Sequence, residues 1–311
     1  VIVEFKNKSI RLPDVLIPGA AKSGTTSLYQ MLSQHPQVYF PPSEKEPFFF
    51  CFGNQKPLHL DQPIIDRVTY DEAEYFELYQ NAGKEQLLFD GSTAYLYRYE
   101  EAIANMKLYY GERIKEVKVI IVLRNPIERA WSHYNFLIRN GLENLPFEEA
   151  IQADIMKSRS QKRWGFDYLG FGKYADQVKA YQDTFPNTKV FLLEDLKKPN
   201  ALCNEIFNFL GIGPLEIEKA AKANPSGIPK SKVLVNLLRK NQLLKKAVNL
   251  LPESIKHKLL AKRDKAMTSL MKKENLNSET RSDLISFYKE DINQLEKIIG
   301  RDLSSWKERP E

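Results

Sequence analysis

The stretch IPGAAKSGTTSLYQML, which begins at Ile17, sets Gly19 and Gly24 with four residues between them, Ala21, Lys22 and Ser23 among these, and Thr25 and Thr26 just after. Glycines let a backbone turn sharply and bring its N–H groups up to a bound group, and a helix that starts there adds partial positive charge. With a lysine and three hydroxyls as well, the composition asks for an anion; a plain turn ending in a Ser/Thr helix cap is the structural alternative. The spacing is close to that of the triphosphate-binding loop, yet there the lysine follows the second glycine, where Thr25 stands here. Further along, VKVIIVL runs into Arg124, and Ser132 follows eight positions later. A triphosphatase normally carries an acid at such a strand end to help hold magnesium. A guanidinium fork and a hydroxyl suit a second phosphate instead, so two neighbouring anion sites indicate a nucleotide phosphorylated at two positions.

Strands and helices must hold these groups. DVLIPG reads as a short strand that opens the chain and runs into the loop, and TTSLYQMLSQHP as a helix ended by Pro36. YFPPSEKEPFFF is irregular, because Pro41, Pro42 and Pro47 deny it hydrogen bonds. Next come a helix in DEAEYFELYQ, a strand in QLLFDGS and a helix in EEAIANMKLYY. VKVIIVL is almost continuously β-branched, as a strand covered on both faces should be. The helix after it has Pro126 in its first turn and Gly141 at its stop; KVFLLE is a strand and ALCNEIFNFLGI a helix. Strand alternating with helix predicts an α/β fold, a parallel sheet flanked by helices on both faces.

The 311 residues, 42% hydrophobic and 28% charged, make ordinary globular material for one domain spanning 1–311. Its nucleotide core is expected at about 12–215 and a basic helical part at about 228–311. Segment 228–275 holds thirteen Lys/Arg against three Asp/Glu, so an acidic partner or a solvated helix face follows. Nucleic acid is not expected, because no recognition motif accompanies the charge. No apolar run is long enough to span a bilayer and no leader pattern opens the chain, so a soluble, cytoplasmic protein without membrane contact is expected. Cys51 and Cys203 have no metal-ligand spacing and read as buried thiols; no metal site is expected. The missing initiator methionine is what a trimmed terminus or an excised domain would show.

PGAAKSGTTSL followed by VLRNPIERAWSHY resembles the paired signature of sulfotransferases that use 3′-phosphoadenosine 5′-phosphosulfate (PAPS), and implies their P-loop-like fold. By that resemblance Ala21, Lys22, Ser23, Gly24, Thr25 and Thr26 bind the 5′-phosphosulfate, and Arg124 and Ser132 the 3′-phosphate. KEPFFF, at 45–50, is similar to the K-E-P-x-F-F element of the carbohydrate and heparan sulfate branch, where the glutamate is the base. GFGKYADQVKAYQDTFP, FLLEDL and FNFLGI keep the family's order, and NPSGIPKS falls where it closes a basic loop over the nucleotide, which adds Ser226, Gly227 and Lys230. Tyr174, with Trp131 and Trp164, is a candidate wall for adenine or acceptor, buried packing being the alternative.

Sulfuryl transfer asks for positioning and charge neutralisation and needs no metal in principle. Lys22 is the candidate for charge growing on the departing oxygen, and Glu46 for taking the acceptor's proton, with three phenylalanines after it to exclude water. Lys45 is placed to orient the sulfonate, and His59 is the alternative base. The acceptor is a hydroxyl: on a β-hydroxyacyl chain of a carrier protein, as in polyketide-type assembly lines, or on a glycan or small metabolite. A nucleotide kinase on the same fold and a noncatalytic binder of anionic glycans are the remaining alternatives.

Overall fold

The structure is a computed structural model that describes residues 1–218, 228–229, 271–272 and 275–308. Its strands are β1 (Ile2–Phe5), β2 (Lys8–Arg11), β3 (Val15–Gly19), β4 (Val38–Tyr39), β5 (Leu87–Asp90), β6 (Lys118–Leu123), β7 (Asn187–Leu192), β8 (Ile228–Pro229) and β9 (Met271–Lys272). Its helices are α1 (Thr25–Leu32), α2 (Gln62–Ile65), α3 (Glu72–Glu77), α4 (Tyr99–Tyr110), α5 (Pro126–Arg139), α6 (Phe147–Ala150), α7 (Ala153–Ser160), α8 (Tyr174–Thr184), α9 (Pro199–Leu210) and, last, α10 (Ser278–Ile299).

Five strands form one parallel sheet in the order β4-β5-β3-β6-β7. In β6, Val119, Ile121 and Leu123 enter one core and Ile120 and Val122 the other, the two-residue period of a strand covered on both sides. Residues of α4, α5, α8 and α10 fill the first core; α1 and α9 fill the second. Cys51 and Cys203 are buried and free.

The chain does not open with the DVLIPG strand: the antiparallel pair β1–β2 precedes it. Lys6 and Asn7 both have positive φ (51° and 60°), as a tight hairpin turn requires, and without a glycine there the turn is hard to read from sequence. The register between β3 and β6 shifts between Leu16 and Gly19, where Pro18 has no N–H to offer; Ala20 N–H then bonds Val122 O at 2.7 Å.

The helix after β3 lies on one face of the sheet and the helix after β6 on the other. The carboxyl ends of these adjacent strands therefore face the crevice where parallel α/β sheets bind ligands. Both anion-binding candidates of the sequence sit there, Lys22 after β3 and Arg124 after β6. The proposed closing loop, with Ser226, Gly227 and Lys230, and most of the basic segment lie outside the described residues.

Candidate active site

The loop after β3 is shaped by its backbone. Lys22 (φ 72°) and Gly24 (φ 88°) are both left-handed, and a Cβ at Gly24 would fall 2.7 Å from Leu193 Cδ1. A Cβ at Gly19 would fall 2.7 Å from Leu96 Cβ, so that glycine admits the segment after β5, whose Leu96 N–H donates to Pro18 O at 2.8 Å. Gly24 is the N-cap of α1, with no side-chain cap and no acid in the first turn. The N–H groups of that helix end are left for a ligand. Ser23 is fully buried beside the Tyr174 hydroxyl, yet its Oγ has no hydrogen-bond partner of proper geometry. A buried hydroxyl left so costs about 1–3 kcal/mol, a debt that a bound anion would cancel. Thr25 is buried, Ala21 half-buried and Thr26 exposed.

Cations gather around this loop. The Lys22 ammonium lies 4.2 Å over the Phe136 ring, whose other neighbour is the Arg139 guanidinium at 5.6 Å. Burial, then Arg139, Arg124 and Arg129, push the Lys22 amine down to about 8, with Glu46 acting the other way. Arg129 is fully buried; its guanidinium donates to Tyr168 O and to His133 Nδ1 at 3.2 Å, while its Nε stays unpaired. Burial, Arg129 and Lys22 hold the His133 imidazole well below its usual range, so it is neutral and accepts at Nδ1. The site is electropositive.

Arg124 is held from behind. Its NH1 donates to Lys22 O at 3.3 Å and its NH2 lies 3.7 Å from Glu128 Oε2. Glu128 Oε1 also takes Arg281 NH2 of α10 at 2.5 Å. The Tyr174 hydroxyl donates to Arg124 O at 3.0 Å, and Asp291 of α10 accepts the N–H groups of Tyr174 (2.9 Å) and Ala175 (3.1 Å) at the start of α8. Asn125 caps α5 through Ile127 N–H and Glu128 N–H, and its Nδ2 reaches Trp306 O at 3.4 Å. Ser132, half-buried, lies on α5.

Across from the loop stands Glu46. Its Oε1 accepts from Lys45 Nζ at 2.9 Å and its Oε2 from Thr93 Oγ1 at 2.7 Å. Among the described residues no group of His, Cys, Asp and Glu is arranged to hold a metal ion, and no helix is long and apolar enough to cross a membrane.

The family described as "Sulfotransferase domain" matches residues 12–232. The chain belongs to the sulfotransferase family. A solved structure titled as a sulfotransferase from Alicyclobacillus acidocaldarius aligns with a TM-score of 0.71 and 26% identity, covering 96% of this chain and 100% of that one. The human bifunctional heparan sulfate N-deacetylase/N-sulfotransferase 2 is 26% identical over 213 residues, 66% of this chain and 22% of the relative. The membrane-associated sulfotransferase kil1 of Dictyostelium discoideum is 28% identical over 164 residues, 50% and 31% of the two chains. This sulfotransferase thus spans between a fifth and a third of the length of those two curated relatives.

In this sulfotransferase Lys22, Ser23, Gly24, Arg124, Lys45 and Glu46 converge, but three expectations change. Tyr174 is fully buried and supports the Arg124 carbonyl, so it is no open wall for adenine. His59 is exposed in the turn before α2, and no hydrogen bond or ion pair links it to Glu46 or Lys22. Phe49 and Phe50 pack into the core against Tyr75 and Tyr109 and do not shield Glu46. Trp131 stacks on Tyr134 and Trp164 on Phe52. Sequence reasoning missed Thr93, Asp90, Phe136, Arg129 and Arg139. For Thr93 a signal existed in the S-T-A-Y run directly after a strand; the two arginines share the face of α5 that carries Phe136 and Ser132 only once the helix is drawn.

Proposed function

We propose that this enzyme transfers a sulfuryl group from PAPS to a hydroxyl or amine of its acceptor. What supports the donor is the crevice itself: an uncapped helix start, a buried unpaired Ser23 hydroxyl and a lysine with three arginines nearby, balanced by few acids. In this reading Ala21, Lys22, Ser23, Gly24, Thr25 and Thr26 hold the 5′ end, and Arg124 and Ser132 the 3′-phosphate. PAPS, when bound, supplies a sulfuryl group on a phosphate leaving group.

Lys22 donates to the side on which negative charge collects, and its weakened amine gains most when an anion adjoins it. Glu46 takes the acceptor proton, worth ~10²–10⁴-fold in rate. Its Oε2 is taken up by the hydroxyl and, at 3.4 Å, the N–H of Thr93, whereas Oε1 accepts only Lys45 and keeps a free lone pair for the acceptor. Lys45 holds Oε1 in place and stands ready for the sulfonate. The exposed His59 is the weaker candidate for base.

For the acceptor, a glycan is favoured by the named substrate of the heparan sulfate N-sulfotransferase relatives. A β-hydroxyacyl group on an acidic carrier protein is the second reading, carried by the excess of Lys/Arg in 228–275.

PAP, the desulfated product, should bind in EDTA, and much more tightly than ATP with magnesium; the reverse preference would return the chain to nucleotide kinases. Labelled PAPS offered with de-N-sulfated heparan oligosaccharide, a β-hydroxyacyl carrier protein and a simple phenol identifies the acceptor. On that acceptor Lys22→Ala and Glu46→Gln each abolish turnover, and Glu46→Gln keeps PAP affinity. Full activity in Glu46→Gln would remove Glu46 as the base.

A further inference from the structure

A buried polar cluster closes β5 beside Glu46. Asp90 is 0% exposed and accepts four hydrogen bonds: Tyr75 OH (2.9 Å) and Tyr95 OH (2.8 Å) on Oδ2, Ser92 N–H (3.0 Å) and Ser92 Oγ–H (2.5 Å) on Oδ1. Each hydroxyl has one hydrogen and gives it to Asp90, so each meets its next neighbour as an acceptor. Ser92 Oγ receives Phe48 N–H at 2.9 Å, and Tyr95 Oη receives Phe50 N–H at 3.2 Å. Between them, Thr93 Oγ1 donates to Glu46 Oε2 at 2.7 Å. Asp90 thus grips the segment after Glu46 at two points, and Thr93, next to Ser92 in the chain, holds Glu46 itself.

We propose that Asp90 is a positioning residue for sulfuryl transfer: by fixing Ser92 and Tyr95 it sets both the segment after Glu46 and the adjoining Thr93, whose hydroxyl holds the carboxylate of Glu46 toward the acceptor. The inference rests on the reading of Glu46 as the base. Two features favour it over simple packing. A carboxylate buried without a cation is costly, and burial pushes the Asp90 carboxyl up to about 6 in spite of its four donors. An apolar residue would fill the space without that cost, but only an acceptor-only group orders all three hydroxyl hydrogens at once. The reach of the network also matches the need: it ends on the N–H groups of Phe48 and Phe50, two and four residues after Glu46, while Thr93 beside Ser92 holds one oxygen of Glu46 and Lys45 the other.

Asp90→Asn puts an amide donor where an acceptor is needed. With the acceptor found as above, it should lower kcat by roughly 10–100-fold, the scale of a small misplacement at a reacting centre, with PAP affinity within about twofold. Thr93→Val should do the same, and Thr93→Ser, which restores the hydroxyl, should return kcat to within about threefold. Asp90→Asn added to Glu46→Gln should cause no further loss of residual single-turnover rate, because the two act as one unit. Amide exchange at Phe48 and Phe50 should quicken in Asp90→Asn, whatever acceptor is used. Unchanged kcat in Thr93→Val beside an inactive Glu46→Gln overturns the proposal, as does an additive loss in the double variant. If Asp90→Asn does not fold, Tyr95→Phe, which removes the hydroxyl between Asp90 and Phe50 N–H, decides: an unchanged kcat there overturns the proposal. A fully active Glu46→Gln is a different outcome: it removes the base reading itself.

Discussion

The two halves of the proposed anion crevice are built in opposite ways. After β3 the chain makes its site within residues 19–25, by backbone: two left-handed residues, an uncapped helix start and a buried hydroxyl. After β6 the site is one arginine kept in place by parts of the chain far away in sequence: Tyr174 under its carbonyl, Asp291 under Tyr174, and Arg281 on its neighbour Glu128. A site made of peptide groups is written in consecutive letters, whereas a site made of a propped side chain shows only its tip.

The largest effect should fall on the backbone half. Gly24→Val must adopt a positive φ and meet Leu193, and is expected to lose roughly 2–4 kcal/mol of stability. PAP binding should drop below detection by calorimetry; unchanged affinity would mean that side chains make this half too.

A middle-sized effect of opposite sign tests the crowding of cations. The Lys22 amine titrates at about 8 in the fold against 10.5 in the open chain, so below pH 8 the folded protein carries a penalty that fades as pH rises toward 10.5. Lys22→Met should therefore stabilise the ligand-free protein at pH 7, by about 1–3 kcal/mol in urea melts, and by less at pH 10. An equal gain at both pH values would remove the electrostatic explanation.

The smallest effect belongs to the propped half. Tyr174→Phe removes one hydrogen bond to Arg124 O and should weaken PAP binding by about three- to tenfold, near 1 kcal/mol. A loss as large as that of Arg124→Ala would make Tyr174 part of the site and not its support.

The same contrast explains what could be read in advance. The five sheet strands follow apolar runs, apart from β4, whose two residues are too short to show a period. The glycine loop and Arg124 could be singled out because their types and spacing are local, and Glu46 because KEPFFF resembles a family element. The three hydroxyls on Asp90 and the capping of α8 by Asp291 were not, since they join residues that only the fold brings together. Tyr174 misled for the same reason: an aromatic beside a predicted site reads as a wall until its burial is known.

The arginines of α5 carry one more consequence, and it concerns time. Their positive charge is felt at Lys22, and in the proposed reading it would attract a small anion before any hydrogen bond selects among anions. Capture thus precedes recognition. In that reading chloride, phosphate and nucleotide would compete for the same approach, and the right ligand would be set apart by how long it stays once hydrogen-bonded to both halves.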